Sequence, residues 1–212
     1  MTKIIIHRVN KIAKLKKIPK KFGVEIDIRS FNNEIVLAHD PFKSGDLLKK
    51  YLKEYDHAIL VANIKEAGIE DLVLKEIKKK KIKNFFLLDV EFPYLYKASK
   101  NKERNIAIRF SEDESIETVK KYINKINYVW IDTFTKLPIN ETNIRVLNNF
   151  HKCLVSPDRW KRSYDISKYI KRLNRSKIKI DSVMTSYKFK NIWQKLLKIK
   201  NWPKYSFNYS FY

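Results

Sequence analysis

The chain has 212 residues, 44% of them hydrophobic, which is enough to bury a sizeable core and is a length that single-domain α/β barrels take. Its one cysteine, Cys153, excludes an internal disulfide framework and a thiolate metal cluster, and points to a reducing compartment, the cytoplasm by default. The net charge of +23 makes polyanions natural neighbours, although a drift in composition towards lysine produces the same charge without a partner.

Short apolar runs of strand length alternate with lysine-bearing segments of helical period along the whole chain. Strands are expected at residues 4–8, 24–29, 58–65, 84–90, 105–110, 128–134, 152–157 and 180–187. Helices are expected at 44–55, 68–81, 114–126 and 141–150, with one continuous helix over 158–174. The opening MTKIIIHRV is too short an apolar run for a signal peptide or a membrane span, and no other stretch approaches the length of one. Repeated strand and helix predicts a parallel sheet with crossover helices, and eight repeats predict a closed (β/α)8 TIM barrel. The barrel is read as one domain over 1–212, with a short hairpin after the second strand and the aromatic tail 201–212 packed on it.

A parallel strand buried on both faces reads as a continuous apolar run, so polar residues at its end need a reason. Here His7, Arg8, Asn63, Lys65, Asp89, Arg109, Ser111, Asp132 and Ser156 fall at such ends, where a barrel carries its active site. Ser111, Asp132 and Ser156 suit helix capping equally well, whereas His7, Arg8 and Lys65 do not. Glu25 and Asp27 are two residues apart on one strand and share a face. Two carboxylates there repel; a hard divalent ion with oxygen ligands relieves that, as does simple solvation of the strand end. Asn32 and Asn33 signal a turn, and the following EIVLAHD brings His39 back to the rim that His7 reaches from the first strand. Two imidazoles beside a carboxylate pair suit acid–base chemistry on a phosphate ester, with Arg8 and Lys65 to neutralise phosphoryl oxygens. His57 and His151 lack such company.

His-Arg at the end of the first strand, Glu-x-Asp in the second and His-Asp after a short hairpin resemble the glycerophosphodiester phosphodiesterase family. The resemblance is strongest over residues 4–65. It is looser beyond, where NIKEAGIEDL (63–72), FFLLDVEFP (85–93), RFSEDES (109–115), VWIDTF (129–134) and LVSPD (154–158) are similar to a small bacterial subgroup. The resemblance implies the barrel shared with phosphatidylinositol-specific phospholipases C. It makes His7 and His39 the acid–base pair, Glu25 and Asp27 ligands of a Mg²⁺ or Ca²⁺ ion, and Arg8 a phosphate contact. The reaction it implies is attack on phosphorus by a neighbouring substrate hydroxyl, giving a cyclic phosphodiester that water then opens. Two departures stand out. HRVNKIAKLKK lacks the glycine and Glu-Asn-Thr segment usual after His-Arg, Asn10 being the only hint of it. The third strand ends Asn63-Ile64-Lys65 in place of Glu-x-Lys, so Asn63 or Asp89 becomes the candidate third metal ligand.

The expected function is metal-dependent hydrolysis of a small phosphodiester, glycerophosphodiester-like or glycan-linked. The alternative is a catalytically weakened barrel that binds a phosphodiester or an anionic polymer, either nucleic acid or an anionic membrane surface. Segment 161–204 carries fourteen Lys or Arg against two Asp, interleaved with Tyr164, Tyr169, Tyr187, Phe189, Trp193 and Trp202. Helical spacing of those aromatics reads as core-facing packing with lysines outward, so no specific nucleic-acid recognition is expected. In KIAKLKKIPKK (11–21), Ile12, Leu15 and Ile18 among lysines read either as a basic element lying on anionic lipid or as a plain solvated helix.

Overall fold

A computed structural model describes residues 2–197. Eight strands among them run parallel: β1 (Lys3–Ile6), β2 (Gly23–Phe31), β5 (Leu60–Ile64), β6 (Phe85–Leu88), β7 (Ala107–Phe110), β8 (Tyr128–Ile131), β9 (His151–Val155) and β10 (Ser182–Thr185). Going round, β1 pairs with β2, β2 with β5, β5 with β6, β7 with β8, β8 with β9, β9 with β10, and β10 with β1 again. Between β6 and β7 the ladder thins to one parallel bridge, Leu87 to Ile106, with the Leu87 N–H donating to the Asn105 carbonyl at 2.8 Å. The expected TIM barrel is thereby realised, with its thinnest seam between the fourth and fifth strands of the ring.

The hairpin after the second strand is also present. β3 (Glu34–Leu37) runs antiparallel to β2 with Phe31 opposite Glu34, and β4 (Asp46–Leu47) adds to its far edge. The two residues between, Asn32 and Asn33, have φ of 48° and 61°, the left-handed pair that a tight hairpin turn requires and asparagine tolerates. Gly45 lets β4 close on β3, since a side-chain carbon there would collide with the Leu37 carbonyl.

Alternation along the strands sorts the core into two shells. Ile5, Val61, Phe86, Trp130, Cys153, Val155 and Met184 fill the barrel interior. Ile4, Ile6, Val24, Ile26, Ile28 and Leu60 belong to the outer shell, together with helical residues such as Val73 and Ile77 of α3 (Glu70–Lys79) and Leu95 of α4 (Phe92–Lys100). Each such buried side chain contributes about 1.5–3 kcal/mol. Glu25 and Asp27 share the interior face of β2, so they top the apolar filling rather than face the helices.

Four stretches differ from expectation. The helix expected over 44–55 spans only Leu48–Glu54, after β4, and the one expected over 114–126 spans only Ile116–Lys120 and is followed by turns. Residues 158–174 are not one helix: two 3-10 turns (Pro157–Trp160 and Ser163–Asp165) precede α7 (Ile166–Arg175), and Lys161 is left-handed at φ 60°. The reason is that this segment is tied to the barrel mouth. Asp158 accepts from the Thr185 hydroxyl at 2.6 Å and the Ser186 N–H at 3.1 Å, and the Trp160 indole N–H donates to Asp132 at 2.8 Å. In 11–21, helix α1 is a single turn (Ile12–Leu15), with Leu15 and Ile18 buried and Ile12 packed against the core. The apolar side of this segment faces the protein core. Of the basic segment's aromatics, Tyr169 and Trp193 are buried and Phe189 packs on the core, while Tyr164 and Tyr187 are exposed. Trp202 and the tail 201–212 lie outside the described residues. Among those residues no helix is long and apolar enough to cross a membrane.

Candidate active site

The site is assembled at the C-terminal ends of β1, β2 and β5. Glu25 and Asp27 are both 1% exposed, and the parallel register sets Asp27 beside Asn63. After β1 the chain turns at Arg8, whose φ of 53° is unusual for a residue with a side chain. That turn aims the Arg8 N–H at Glu25 Oε2 (2.7 Å) and the Val9 N–H at the Glu25 carbonyl (2.8 Å). It is a strained backbone held by the groups that it serves.

The two carboxylates are treated differently. Asp27 is surrounded by donors: Asn10 Nδ2 at 2.8 Å, Arg8 Nε at 3.3 Å and Lys65 Nζ at 3.6 Å, while its N–H donates to Asn10 Oδ1 at 2.9 Å. Asn10 thus clamps Asp27 from both sides of its amide. Glu25 accepts from the Arg8 N–H and from Asn63 Nδ2 at 3.0 Å, and neither donor carries charge. Burial first, and then the charge of Asp27, push its carboxyl up to about 7. His7 lies with Nε2 3.9 Å from Glu25 Oε2. Burial, then the positive charges of Arg159, Arg8, Lys14 and Lys65, hold its imidazole down near 3, so it is neutral. For that reason the His7–Glu25 approach is a polar contact and not an ion pair.

Asn63 Oδ1 is buried and has no hydrogen-bond partner. Orphaned buried acceptors are rare, and this one stands where its own amide is already fixed by Glu25. An oxygen without a donor, beside a buried carboxylate without a cation, fits a hard divalent ion. Glu25, Asp27 and Asn63 are therefore residues that could hold one. Among the described residues no group of three or more His, Cys, Asp or Glu side chains is arranged to hold a metal ion. The fit rests on two carboxylates and an amide.

Of the other residues read from the sequence, Lys65 sits at the site's edge, spanning Asp27 and Asp89, the latter at 3.4 Å. Asp89 is turned by its own left-handed φ of 56° and is held by Arg109 Nη1 at 2.7 Å; it meets the site only through Lys65. His39 follows Ala38, whose N–H donates to the Asp27 carbonyl at 3.1 Å, so the hairpin does return it to the rim. Its ring is exposed, with Nδ1 2.7 Å from Asp40 Oδ1, and it makes no bond to the carboxylate pair. His57 is remote from this constellation and bonds to the Ile18 carbonyl at 3.0 Å.

Two further cations reach the site from segments read differently in the sequence. Lys14 Nζ donates to the Arg8 carbonyl at 2.7 Å, from the segment read as amphipathic. Arg159 Nη1 donates to Ser186 Oγ at 3.1 Å, from the segment read as continuous helix.

No family model matches the chain, and no curated protein matches it in sequence. Solved structures do match in shape. One is a protein of Agrobacterium tumefaciens str. C58 assigned to the glycerophosphoryl diester phosphodiesterases, with a TM-score of 0.64 at 11% identity over 92% of this chain and 98% of that one. A glycerophosphoryl diester phosphodiesterase of Parabacteroides distasonis gives 0.61 at 12% identity, over 87% of this chain and 82% of that one. A glycerophosphodiester phosphodiesterase of Agrobacterium tumefaciens gives 0.62 at 11% identity, over 87% and 96%. The chain has the barrel fold of the glycerophosphodiester phosphodiesterases.

Proposed function

We propose that the protein is a metal-dependent phosphodiesterase that cleaves a small glycerophosphodiester-like or glycan-linked phosphodiester by histidine acid–base catalysis. The observation that carries this reading is the combination at β2 and β5: a buried Glu25 with no cationic partner, next to a buried Asn63 oxygen with no donor, below a neutral His7. Glu25, Asp27 and Asn63 Oδ1 hold a Mg²⁺ or Ca²⁺ ion, which when bound supplies positive charge to the phosphoryl oxygens. Arg8 and Lys65 share in that neutralisation. His7 accepts the proton of a substrate hydroxyl as its oxygen bonds to phosphorus. His39, its Nδ1 fixed by Asp40, gives a proton from Nε2 to the departing alkoxide as the ester P–O bond breaks. Water then opens the cyclic diester with the two histidines in exchanged roles.

The purified protein is expected to hydrolyse bis-(p-nitrophenyl) phosphate or glycerophosphocholine with added Mg²⁺ or Ca²⁺. His7→Ala is expected to lower kcat by about 10²- to 10⁴-fold, with an unchanged melting curve. Equal inactivity of the two proteins over a broad phosphodiester panel would sink the enzyme reading. One observation favours the second reading, a binding protein on a weakened barrel: Arg8, Lys65 and Asn10 already occupy Asp27. Under that reading Mg²⁺ leaves both the melting temperature and phosphodiester binding unchanged.

A further inference from the structure

The mouth holds more positive charge than a phosphodiester requires. Four cations act on His7: Arg159, Arg8, Lys14 and Lys65. Arg8 and Lys65 are each balanced by Asp27. Lys14 and Arg159 touch no carboxylate: Glu25 attracts both, and Asp158 attracts Arg159, only from beyond ion-pair distance. Among the described residues neither forms an ion pair, and their hydrogen bonds go to neutral oxygens, the Arg8 carbonyl and the Ser186 hydroxyl. The nearest carboxylate to Arg159 in sequence, Asp158, is occupied by the Thr185 hydroxyl and by the N–H and hydroxyl of Ser186.

Their position is set by the barrel. Ile6 of β1 is in register with Thr185 of β10, and the His7 N–H donates to the Thr185 carbonyl at 3.0 Å. Ser186 is the next residue, so the guanidinium anchored to it stands beside His7. Lys14 comes from the opposite flank, above Arg8. Arg159 lowers the proton affinity of Lys14, and Arg8 lowers that of both, so the three cations share one mouth. Cations gathered at a cleft without a contacting carboxylate draw anions to it. A phosphodiester brings one negative charge, and Arg8, Lys65 and the proposed metal already meet it.

We infer that Lys14 and Arg159 form a second anion subsite on the β1–β10 side of the mouth, so that the substrate carries another phosphate or similarly anionic group next to the scissile phosphodiester. The inference rests on reading the site as one for a phosphodiester, and it adds a residue class that binds beside the reacting phosphorus without touching it.

The test is a pair of calorimetric titrations in Mg²⁺ at about 0.15 M salt, where non-specific charge attraction is largely screened. Propyl phosphate is compared with propane-1,3-diol bisphosphate. The wild type is expected to bind the bisphosphate at least about tenfold more tightly, the size of one charge-assisted hydrogen bond. Arg159→Gln and Lys14→Gln should each remove most of that preference, while Lys75→Gln, on the exposed side of α3, keeps it. Equal affinity of the wild type for both ligands, or a preference that survives both site substitutions, overturns the subsite. The two readings fail separately. Discrimination through Lys14 and Arg159 without any phosphodiester turnover keeps the subsite and discards the enzyme, whereas turnover without discrimination does the reverse.

Discussion

The two halves of the barrel mouth solve opposite electrostatic problems. Around β6, β7 and β8 a single guanidinium, Arg109, is gripped by three carboxylates: Glu114 at 2.6 Å, Asp89 at 2.7 Å and Asp132 at 3.0 Å. Phe134 lies under the same guanidinium, and Trp160 packs edge-on against Phe134 while bonding Asp132. Each of the three carboxylates bonds that guanidinium, although Glu114 Oε2 is buried without a partner, and the arrangement reads as a brace that ties three strand ends together. Around β1, β2 and β5 no Lys or Arg side chain contacts Glu25, Asn63 Oδ1 lacks a donor, and Lys14 and Arg159 contact no carboxylate. Charges that a fold leaves unmatched in a sheltered place mark where something else completes them.

That contrast can be broken from either side. The largest effect is expected in the unmatched half: Lys65→Gln should lower kcat/KM by about 10²- to 10³-fold, as loss of a charge-stabilising donor does, with a smaller change in melting temperature. Breaking the brace should do the converse. Arg109→Met leaves three carboxylates facing one another and is expected to cost about 2–3 kcal/mol, somewhat less than for a fully buried pair because the site is partly solvated. A thermal melt should show this as a drop of roughly 5–10 °C, with kcat changed by less than about tenfold.

An intermediate effect concerns pH in metal-free protein. Glu25 is raised from an ordinary 4.5 to about 7, so the stability it contributes is complete below pH 4.5 and is lost as pH rises through 7. His7 is lowered from 6.5 to about 3, so its contribution is present above 6.5 and is lost as pH falls. Glu25→Gln should therefore gain stability over the wild type on going from about pH 5 to about pH 8, and added Mg²⁺ at the higher pH should stabilise the wild type but not the variant. Chemical denaturation at the two pH values, with and without chelator, checks both signs. The smallest effect belongs to Trp160→Phe, which removes the indole bond to Asp132 and is expected to cost about 1 kcal/mol with little change in turnover.

Much of the half around β1, β2 and β5 was legible in the sequence because it is local. Alternation alone puts Glu25 and Asp27 on one face, and Asn32-Asn33 demands the turn that returns His39. The strand rhythm gave the barrel without any tertiary information. What could not be read depends on how distant segments meet. Asn10 looked like a remnant of a missing segment, yet it bonds Asp27 through both ends of its amide. Arg159 was invisible because 158–174 has helical periodicity; only the ties of Asp158 to β10 and of Trp160 to Asp132 bend the segment over the mouth. Lys14 was assigned to a lipid-facing or solvated helix, since nothing local says that Leu15 and Ile18 are claimed by the core. The brace partners Asp89, Arg109 and Asp132 were each marked as polar strand ends, and their mutual attraction appears only when neighbouring strands are set side by side.

The thin seam between β6 and β7 bears on how the barrel exchanges with solvent. In the ring of eight it lies diametrically opposite the β10–β1 junction, which carries His7 and Ser186. Local opening starts where the fewest backbone bonds must part. Amide protons near Leu87 and Ile106 should be among the first of the strand amides to exchange, while the pairing of Arg109 with Asp89 holds the same seam shut at the mouth.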